Sequence, residues 1–273
     1  MSGVIRVTEV PQLPARPDDA HKGTFGKVVI VAGSVGMVGA AVLCARAATR
    51  SGAGLVRVAL PESLVATFPL TVPEATTFLA IARDLKTQLA EADAVVIGPG
   101  LSSDAPTRTL VQTVLQNSTV PVVLDADALN VIAPLADTLT CKAPLILTPH
   151  PAEAARLLDS SIALVQSDRD ASIAELCKVS GAIVVLKGKG TLVSDGQRCF
   201  ANRTGNPGMA AGGSGDVLSG LLGALLARGL EPFAAACLAV DVHGRAGDRA
   251  CEALGENGMV ASDIVEAIAQ ELR

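Results

Sequence analysis

Aliphatic runs alternate with amphipathic stretches along this chain. Six runs read as strands: KVVIVAG (27–33), LVRVAL (55–60), AVVIG (94–98), PVVLDAD (121–127), LILTP (145–149) and AIVVLKG (182–188). They are continuous rather than alternating, as expected of parallel strands buried on both faces. Two shorter runs, TLVSD and RCFAN, are parted by Gly196 and predict a hairpin. Helical periodicity covers 39–50, 106–116, 151–158 and 167–179, and three long helices over 216–228, 232–253 and 262–272 finish the chain. The alternation predicts an α/β fold in three layers, with a mostly parallel central sheet and helices on both faces. No linker, repeat or low-complexity tract divides it, so one domain is expected over 1–273, behind a Pro-rich lead-in over 1–21.

Composition sharpens this picture. Of 273 residues 49% are hydrophobic, yet Tyr and Trp are absent and only five Phe occur, so Val, Leu, Ile and Ala must build the core. So few aromatics argue against stacking on single-stranded nucleic acid. A net charge of −5 gives no electrostatic reason to expect nucleic acid or an anionic membrane as partner. The six cysteines show no CxxC spacing and read as buried thiols. The N-terminus lacks a hydrophobic signal region, and no run approaches the roughly 18 apolar residues of a membrane helix. A soluble, cytoplasmic protein is expected.

In open α/β sheets ligands bind beyond the carboxyl ends of the strands, and here strand after strand ends in a chemically unusual loop. GSVGMVG (33–39) resembles a dinucleotide fingerprint, but its glycines fall as GxxGxxG rather than GxGxxG. A loop shaping a different ligand pocket, tight strand-to-helix packing, and a true dinucleotide site with Glu62 on the ribose stay open. In LDADALN, Asp125 and Asp127 would share one face of an extended segment, where a Mg²⁺ held largely through water would relieve their repulsion. Alternatively Asp127 caps a helix beginning at Ala128. His150, between two prolines and ahead of Glu153, is aimed by a rigid turn and suits ligand contact. His21 and His243 have weaker cases, and His243 reads as structural. LKGKGT places Lys187 and Lys189 among glycines, either to hold a nucleotide through backbone groups, Lys187 and Thr191, or as an ordinary hairpin with solvated lysines. No GxxxxGK[ST] loop occurs.

The most informative stretch is NPGMAAGGSGDVLSGLLGALLARG (206–229). Gly212, Gly213 and Gly215 crowd in front of one carboxylate, Asp216, and a small-residue helix begins at once. Unobstructed amides and a helix N-terminus favour an anion. An acid placed there suits removal of a proton from a group that attacks the anion, the arrangement of a phosphoryl-transfer site. Helix capping by Asp216 is the plainer alternative.

Together KGTFGKVVIVAGS, the glycine loop running into GAAVLCARAATRSGAGLV, IGPGL, LDADALN, LTPHPAE, LKGKGT and NPGMAAGGSGDVLSG resemble the NAD(P)H-hydrate dehydratase family, a branch of the ribokinase-like fold. The resemblance runs through almost the whole chain. It implies repair of NADH or NADPH that has added water at C6 of the nicotinamide ring, with ADP in bacterial members or ATP in eukaryotic ones as phosphoryl donor, and with Mg²⁺. It places Ala40, Gly100, His150 and Asp216 on the hydrated dinucleotide. Lys187, Gly188, Lys189, Gly190, Thr191 and Gly215 fall on the adenine nucleotide. Asp216 would be the base, and Gly213, Ser214 and Gly215 the anion hole. Ser214 stands where relatives often have Thr, and so does Ala211; neither is the base. The resemblance further implies a homotetramer, and an epimerase of the hydrate as functional partner. Some bacterial relatives carry that epimerase in front, and the short lead-in here leads us to expect the dehydratase alone. Two other readings stay open: a kinase of the same fold acting on a vitamin-type alcohol, and a non-catalytic adenine-nucleotide or NAD sensor.

Overall fold

The computed structural model describes residues 4–136 and 138–272; the first three residues of the lead-in, with 137 and 273, lie outside that description. Among the described residues ten strands form one sheet: β1 (Ile5–Val7), β2 (Lys27–Val31), β3 (Leu55–Leu60), β4 (Ala75–Leu79), β5 (Ala94–Ile97), β6 (Val122–Leu124), β7 (Leu145–Leu147), β8 (Ile183–Leu186), β9 (Leu192–Ser194) and β10 (Arg198–Ala201). The helices are α1 (Val38–Arg50), α2 (Glu62–Val65), α3 (Ala82–Leu89), α4 (Ala105–Asn117), α5 (Asp127–Ile132), α6 (Pro151–Leu157), α7 (Ile162–Ser167), α8 (Arg169–Ser180), α9 (Ser214–Ala227), α10 (Pro232–Leu254) and α11 (Ala261–Glu271). None of the described helices is long and apolar enough to cross a membrane.

The spatial order is β1-β10-β9-β8-β7-β6-β5-β2-β3-β4, parallel throughout except that β9 runs against both neighbours. Continuous aliphatic strands follow from this layering. In β2, Val28 and Ile30 face one core, and Val29 and Val31 face the other. The first core lies under α1, α9, α10 and α11, and the second under α3 to α8. A strand apolar on both sides can only sit between two helix layers.

All six predicted strands form, each trimmed by a residue or more where its end turns into a loop, except Leu55–Leu60, which forms in full. The hairpin of β9 and β10 forms as predicted. Part of the lead-in is structured: Ile5–Val7 lies parallel to β10, with Ile5 opposite Arg198 and Val7 opposite Phe200. Three residues carry too little periodicity to announce a strand, and a partner nearly two hundred positions away supplies it. β4 and α3 were likewise not foreseen; ATTFL is too polar to read as a buried run.

α9 explains its own small-residue pattern. From Val217 to Ala227 every residue is buried. A Cβ on Gly220 would sit 2.0 Å from the Cys44 carbonyl oxygen of α1, and one on Gly223 would sit 2.4 Å from Val96 of β5. α9 is therefore wedged between a neighbouring helix and the sheet at distances that only glycine permits. Gly220→Ala is expected to lower stability by about 2–3 kcal/mol in urea unfolding, because the obstacle is backbone and cannot rotate away. Gly212→Ala, where a Cβ would meet nothing within 4 Å, should leave the midpoint unchanged.

Candidate active site

The sheet reverses its winding at β2, which lies between β5 and β3, and such a switch opens a crevice beyond the carboxyl ends of the strands. The loops of interest leave β8, β7, β6, β5 and β2, five adjacent strands, at that end. The loop after β2 is tied to the one after β5 by the Gly33 amide, which donates to the Pro99 carbonyl at 2.8 Å. Gly100 has a φ of +62°, and a Cβ there would lie 2.8 Å from the Ala40 Cβ, so Ala40 and Gly100 adjoin. Above Gly36 and Gly39 there is open space, whereas Gly33 packs on Ala41. Tight packing is thus true of the first glycine of GSVGMVG, and the other two leave room. Glu62 opens α2 as an exposed residue.

Asp125 sits at the centre. It follows β6 and is 1% exposed. Its Oδ1 accepts from Lys187 Nζ and from Thr148 Oγ1, both at 2.7 Å, and its Oδ2 accepts from Ser219 Oγ at 2.7 Å. Burial alone would raise its pKa, but the Lys187 charge and these hydrogen bonds outweigh it and hold the carboxyl below its ordinary value. The expectation that Asp125 and Asp127 share a face of an extended segment is corrected. The strand ends at Leu124, Ala126 turns the chain with a φ of +46°, and Asp127 becomes the first residue of α5. Asp127 does not cap a helix starting at Ala128 either. Its carboxylate reaches the loop after β5, accepting from the Ser102 amide at 2.9 Å and from Ser103 Oγ at 3.3 Å. Asn130 adds a third donor to Asp127 at 3.2 Å. Among the described residues no group of three or more His, Cys, Asp or Glu is placed to cage a metal.

The turn between β8 and β9 is a hairpin, as the plainer reading has it, but its two lysines part company. Lys189 points to solvent. Lys187 turns inward to Asp125 and also lies 3.8 Å from Glu153 Oε2. Burial would lower its pKa, yet Asp125 and Glu153 prevail and raise it, so Lys187 is a fixed cation. Gly188 and Gly190 have φ of +126° and +65°, and Thr191 Oγ1 donates to the Gly188 carbonyl at 2.9 Å. Arg169 braces the turn by donating to the Leu186 and Lys187 carbonyls.

Pro151 begins α6 and His150 caps it: the ring Nδ1 accepts from the Ala152 and Glu153 amides at 3.1 and 3.2 Å, and Glu153 returns a carboxylate to the His150 amide at 2.7 Å. An Nδ1 that accepts leaves the proton on Nε2. Burial, then the Lys187 and Arg156 charges, lower the His150 pKa and keep the ring neutral, while its side chain stays about half exposed. Glu153 is buried, and burial raises its pKa against the pull of Lys187.

The N-cap of α9 is Gly213, with a φ of +91°; Asp216 lies in the first turn and is not the cap. A Cβ on Gly213 would collide with Leu43 at 2.4 Å, and one on Gly215 would lie 3.2 Å from Lys187 Nζ. Gly215, in the first turn of α9, thus lies beside the lysine. Burial first, then the Asp125 charge, push the Asp216 carboxyl up to about 7, with Lys187 opposing and Asp127 and Glu153 adding. Sequence reading passed over Thr148 and Ser219, which have no motif of their own, though Ser219 falls one turn after Asp216 on the buried face of α9. It left His243 as structural, and the ring is indeed buried, donating from Nε2 to the Ser214 carbonyl at 2.9 Å. Burial holds the His243 pKa at about 4, so this support under the glycine loop stays neutral at physiological pH. His21 caps the short turn over Lys22–Phe25.

A carboxyl raised to about 7 binds its proton more tightly folded than unfolded, so ionising it opposes folding. Stability from this group is present at low pH and is lost as pH rises from about 4 through about 7. Asp216→Asn should therefore be more stable than the parent at pH 8.5 by roughly 1–3 kcal/mol. The gap should close as the pH falls toward about 4, as followed by urea unfolding across pH.

Residues 28–270 match the family model described as NAD(P)H-hydrate dehydratase. The ADP-dependent (S)-NAD(P)H-hydrate dehydratase of Neisseria meningitidis is 44% identical, over 93% of this chain and 87% of its own length. A bifunctional NAD(P)H-hydrate repair enzyme of Moorella thermoacetica is 43% identical over 96% of this chain, and the chain spans about half of that protein's length (52%). Among solved structures, the ADP/ATP-dependent NAD(P)H-hydrate dehydratase of Bacillus subtilis, co-crystallized with ATP/Mg²⁺, superposes with a TM-score of 0.88 at 31% identity, covering 95% of this chain and 93% of that one. The three-layer fold and the order of its loops agree with what the seven motifs imply: the chain belongs to the NAD(P)H-hydrate dehydratase family.

Proposed function

We propose that this chain dehydrates the S epimer of hydrated NADH and NADPH back to the dihydronicotinamide, with ADP as phosphoryl donor and ATP as the alternative. The observation that carries the reading is Asp216: a half-buried carboxyl with a pKa of about 7, in the first turn of α9, beside Gly215, which lies against the Lys187 cation. A general base is most effective when its pKa lies near the working pH. Family membership and the named relatives support the substrate class over a vitamin-type alcohol kinase, and an acid so tuned has no purpose in a sensor.

Hydroxide is a poor leaving group, so the ring hydroxyl is first converted to a phosphate ester. Asp216 takes the C6 hydroxyl proton as that oxygen attacks the terminal phosphorus of the donor, and a nucleotide one phosphate shorter departs. The ring nitrogen's lone pair then expels inorganic phosphate, and loss of a C5 proton restores the double bond. Amides over Gly213, Ser214 and Gly215 and the N-terminus of α9 stabilise charge on the phosphoryl group. Lys187 Nζ, beside Gly215, adds a fixed positive charge. In this reading Lys187 to Thr191 and Gly215 hold the adenine nucleotide, and Ala40, Gly100, His150 and Asp216 the hydrated dinucleotide. Asp125 does not fit as a direct Mg²⁺ ligand, since Lys187, Thr148 and Ser219 already engage both its oxygens. A Mg²⁺ arriving with the nucleotide would neutralise phosphate charge, and Asp125 and Asp127 would reach it only through water. We extend the reading, on the resemblance alone, to a cytoplasmic homotetramer acting beside a hydrate epimerase, with 1–273 as one dehydratase domain.

Incubation with hydrated NADH, Mg²⁺ and ADP or ATP should restore the dihydronicotinamide absorbance; no recovery with either donor would overturn the assignment. Asp216→Asn should lower kcat by about 10³-fold or more. In the parent, kcat/KM should fall about tenfold per pH unit below about 7 and level off above it, because only ionised Asp216 accepts the proton.

A further inference from the structure

At the opposite end of α9 from Asp216 lies a second concentration of charge, which no step above uses. A cavity of about 560 Å³ opens there between the C-termini of α1 and α9, and Arg16, Arg46, Arg50 and Arg228 line it. Arg228 follows Asp216 by twelve positions along α9, which at 1.5 Å per residue is about 18 Å.

The four arginines fall into two pairs. Arg46 and Arg50 both bind Glu266 of α11, at 2.5 and 2.7 Å, and tie α1 to α11. Arg16 and Arg228 have no carboxylate partner among the described residues. Arg16 donates to the Gly52 carbonyl at 3.0 Å, and Arg228 donates to the Pro14 and Ser51 carbonyls at 3.3 and 3.5 Å. Both guanidiniums stand over one ring, Phe25, at 3.8 and 5.6 Å from its centroid. They also converge on one point: a Cβ on Gly52 would lie 2.8 Å from Arg16 Nη2 and 3.2 Å from Arg228 Nη1.

Each guanidinium has five N–H donors, and carbonyl contacts leave several of them over. Two like charges held this close repel unless something offsets them. The C-termini of α1, α9 and α11 contribute about half a negative charge each, and Glu74 and Glu266 contribute one apiece. Against four guanidiniums the cavity remains positive, in a chain whose net charge is −5. Planar guanidiniums side by side match the oxygens of a phosphate through paired hydrogen bonds, and the volume suits a nucleotide-sized ligand.

We propose that this arginine-lined cavity binds a phosphate-bearing anion of nucleotide size, at a site separate from the one built around Asp216. The inference does not rest on the dehydratase reading. Inorganic pyrophosphate is the probe. Its calorimetric titration into the parent should show a salt-sensitive component that R16Q/R228Q weakens at least tenfold and R16K/R228K weakens less. Replacing pyrophosphate with ADP distinguishes sources. Tighter binding to the same component means that a nucleoside is also held, and equal binding means that only the phosphates are. Hydrogen–deuterium exchange on the unaltered protein gives a second measurement that no folding defect can confuse. Pyrophosphate should slow exchange around residues 50–54 and 228–230. Superimposable isotherms for the parent and R16Q/R228Q overturn the proposal. So does unchanged exchange in those segments, and so does a smaller sedimenting species in R16Q/R228Q with pyrophosphate binding intact, which would make this face a subunit contact.

Discussion

Asp125 and Lys187 meet across the ends of β6 and β8, and the architecture of the site follows from keeping that pair satisfied. Removing two charges from water costs several kcal/mol each even after relaxation. The pair is tolerable because Thr148, from the end of β7, and Ser219, from α9, complete the hydrogen bonding of the carboxylate. Three strand ends and one helix are thereby drawn to a single point. Lys187 in turn stands against Gly215, so the cation is delivered to the helix N-terminus by a carboxylate from another loop.

The same cluster leaves Asp216 in a compromised setting. Burial and then Asp125 push its pKa up and Lys187 pulls it down, so it neither ionises freely nor keeps its proton through neutral pH. A carboxyl with a full set of donors, like Asp125, would be too weak a base. One without the nearby lysine would ionise only at a higher pH. The distribution of hydrogen bonds between two aspartates on neighbouring elements separates a structural acid from a reactive one.

Much of this was legible in the chain. Short continuous aliphatic runs bounded by turn residues read as strands with two covered faces, and the glycines ahead of Asp216 require an open backbone at a helix start. The part that stayed hidden depends on partners distant in sequence. Ser219 and Thr148 become meaningful only once β6, β7 and α9 are adjacent, and the polar strand β4 exists because β3 offers it an edge. Asp125 and Asp127 misled for a local reason. Two residues apart implies a shared face only while the chain stays extended, and Ala126 ends that extension with a left-handed turn. The inward turn of Lys187, but not of Lys189, was equally unreadable, because both lysines sit in one glycine-rich turn and only the buried carboxylate across the crevice tells them apart.

The glycine contacts of α9 have a consequence for how the acid acts. With Gly220 close against a carbonyl of α1 and Gly223 close against the Val96 side chain, the backbone of the helix sits directly on both of its neighbours. Asp216 is therefore aimed by the seating of its whole helix, and little of the protein has to rearrange when a proton reaches it. Reorganisation is thus confined to the ligands and the water they displace, which keeps the barrier contributed by the scaffold itself low.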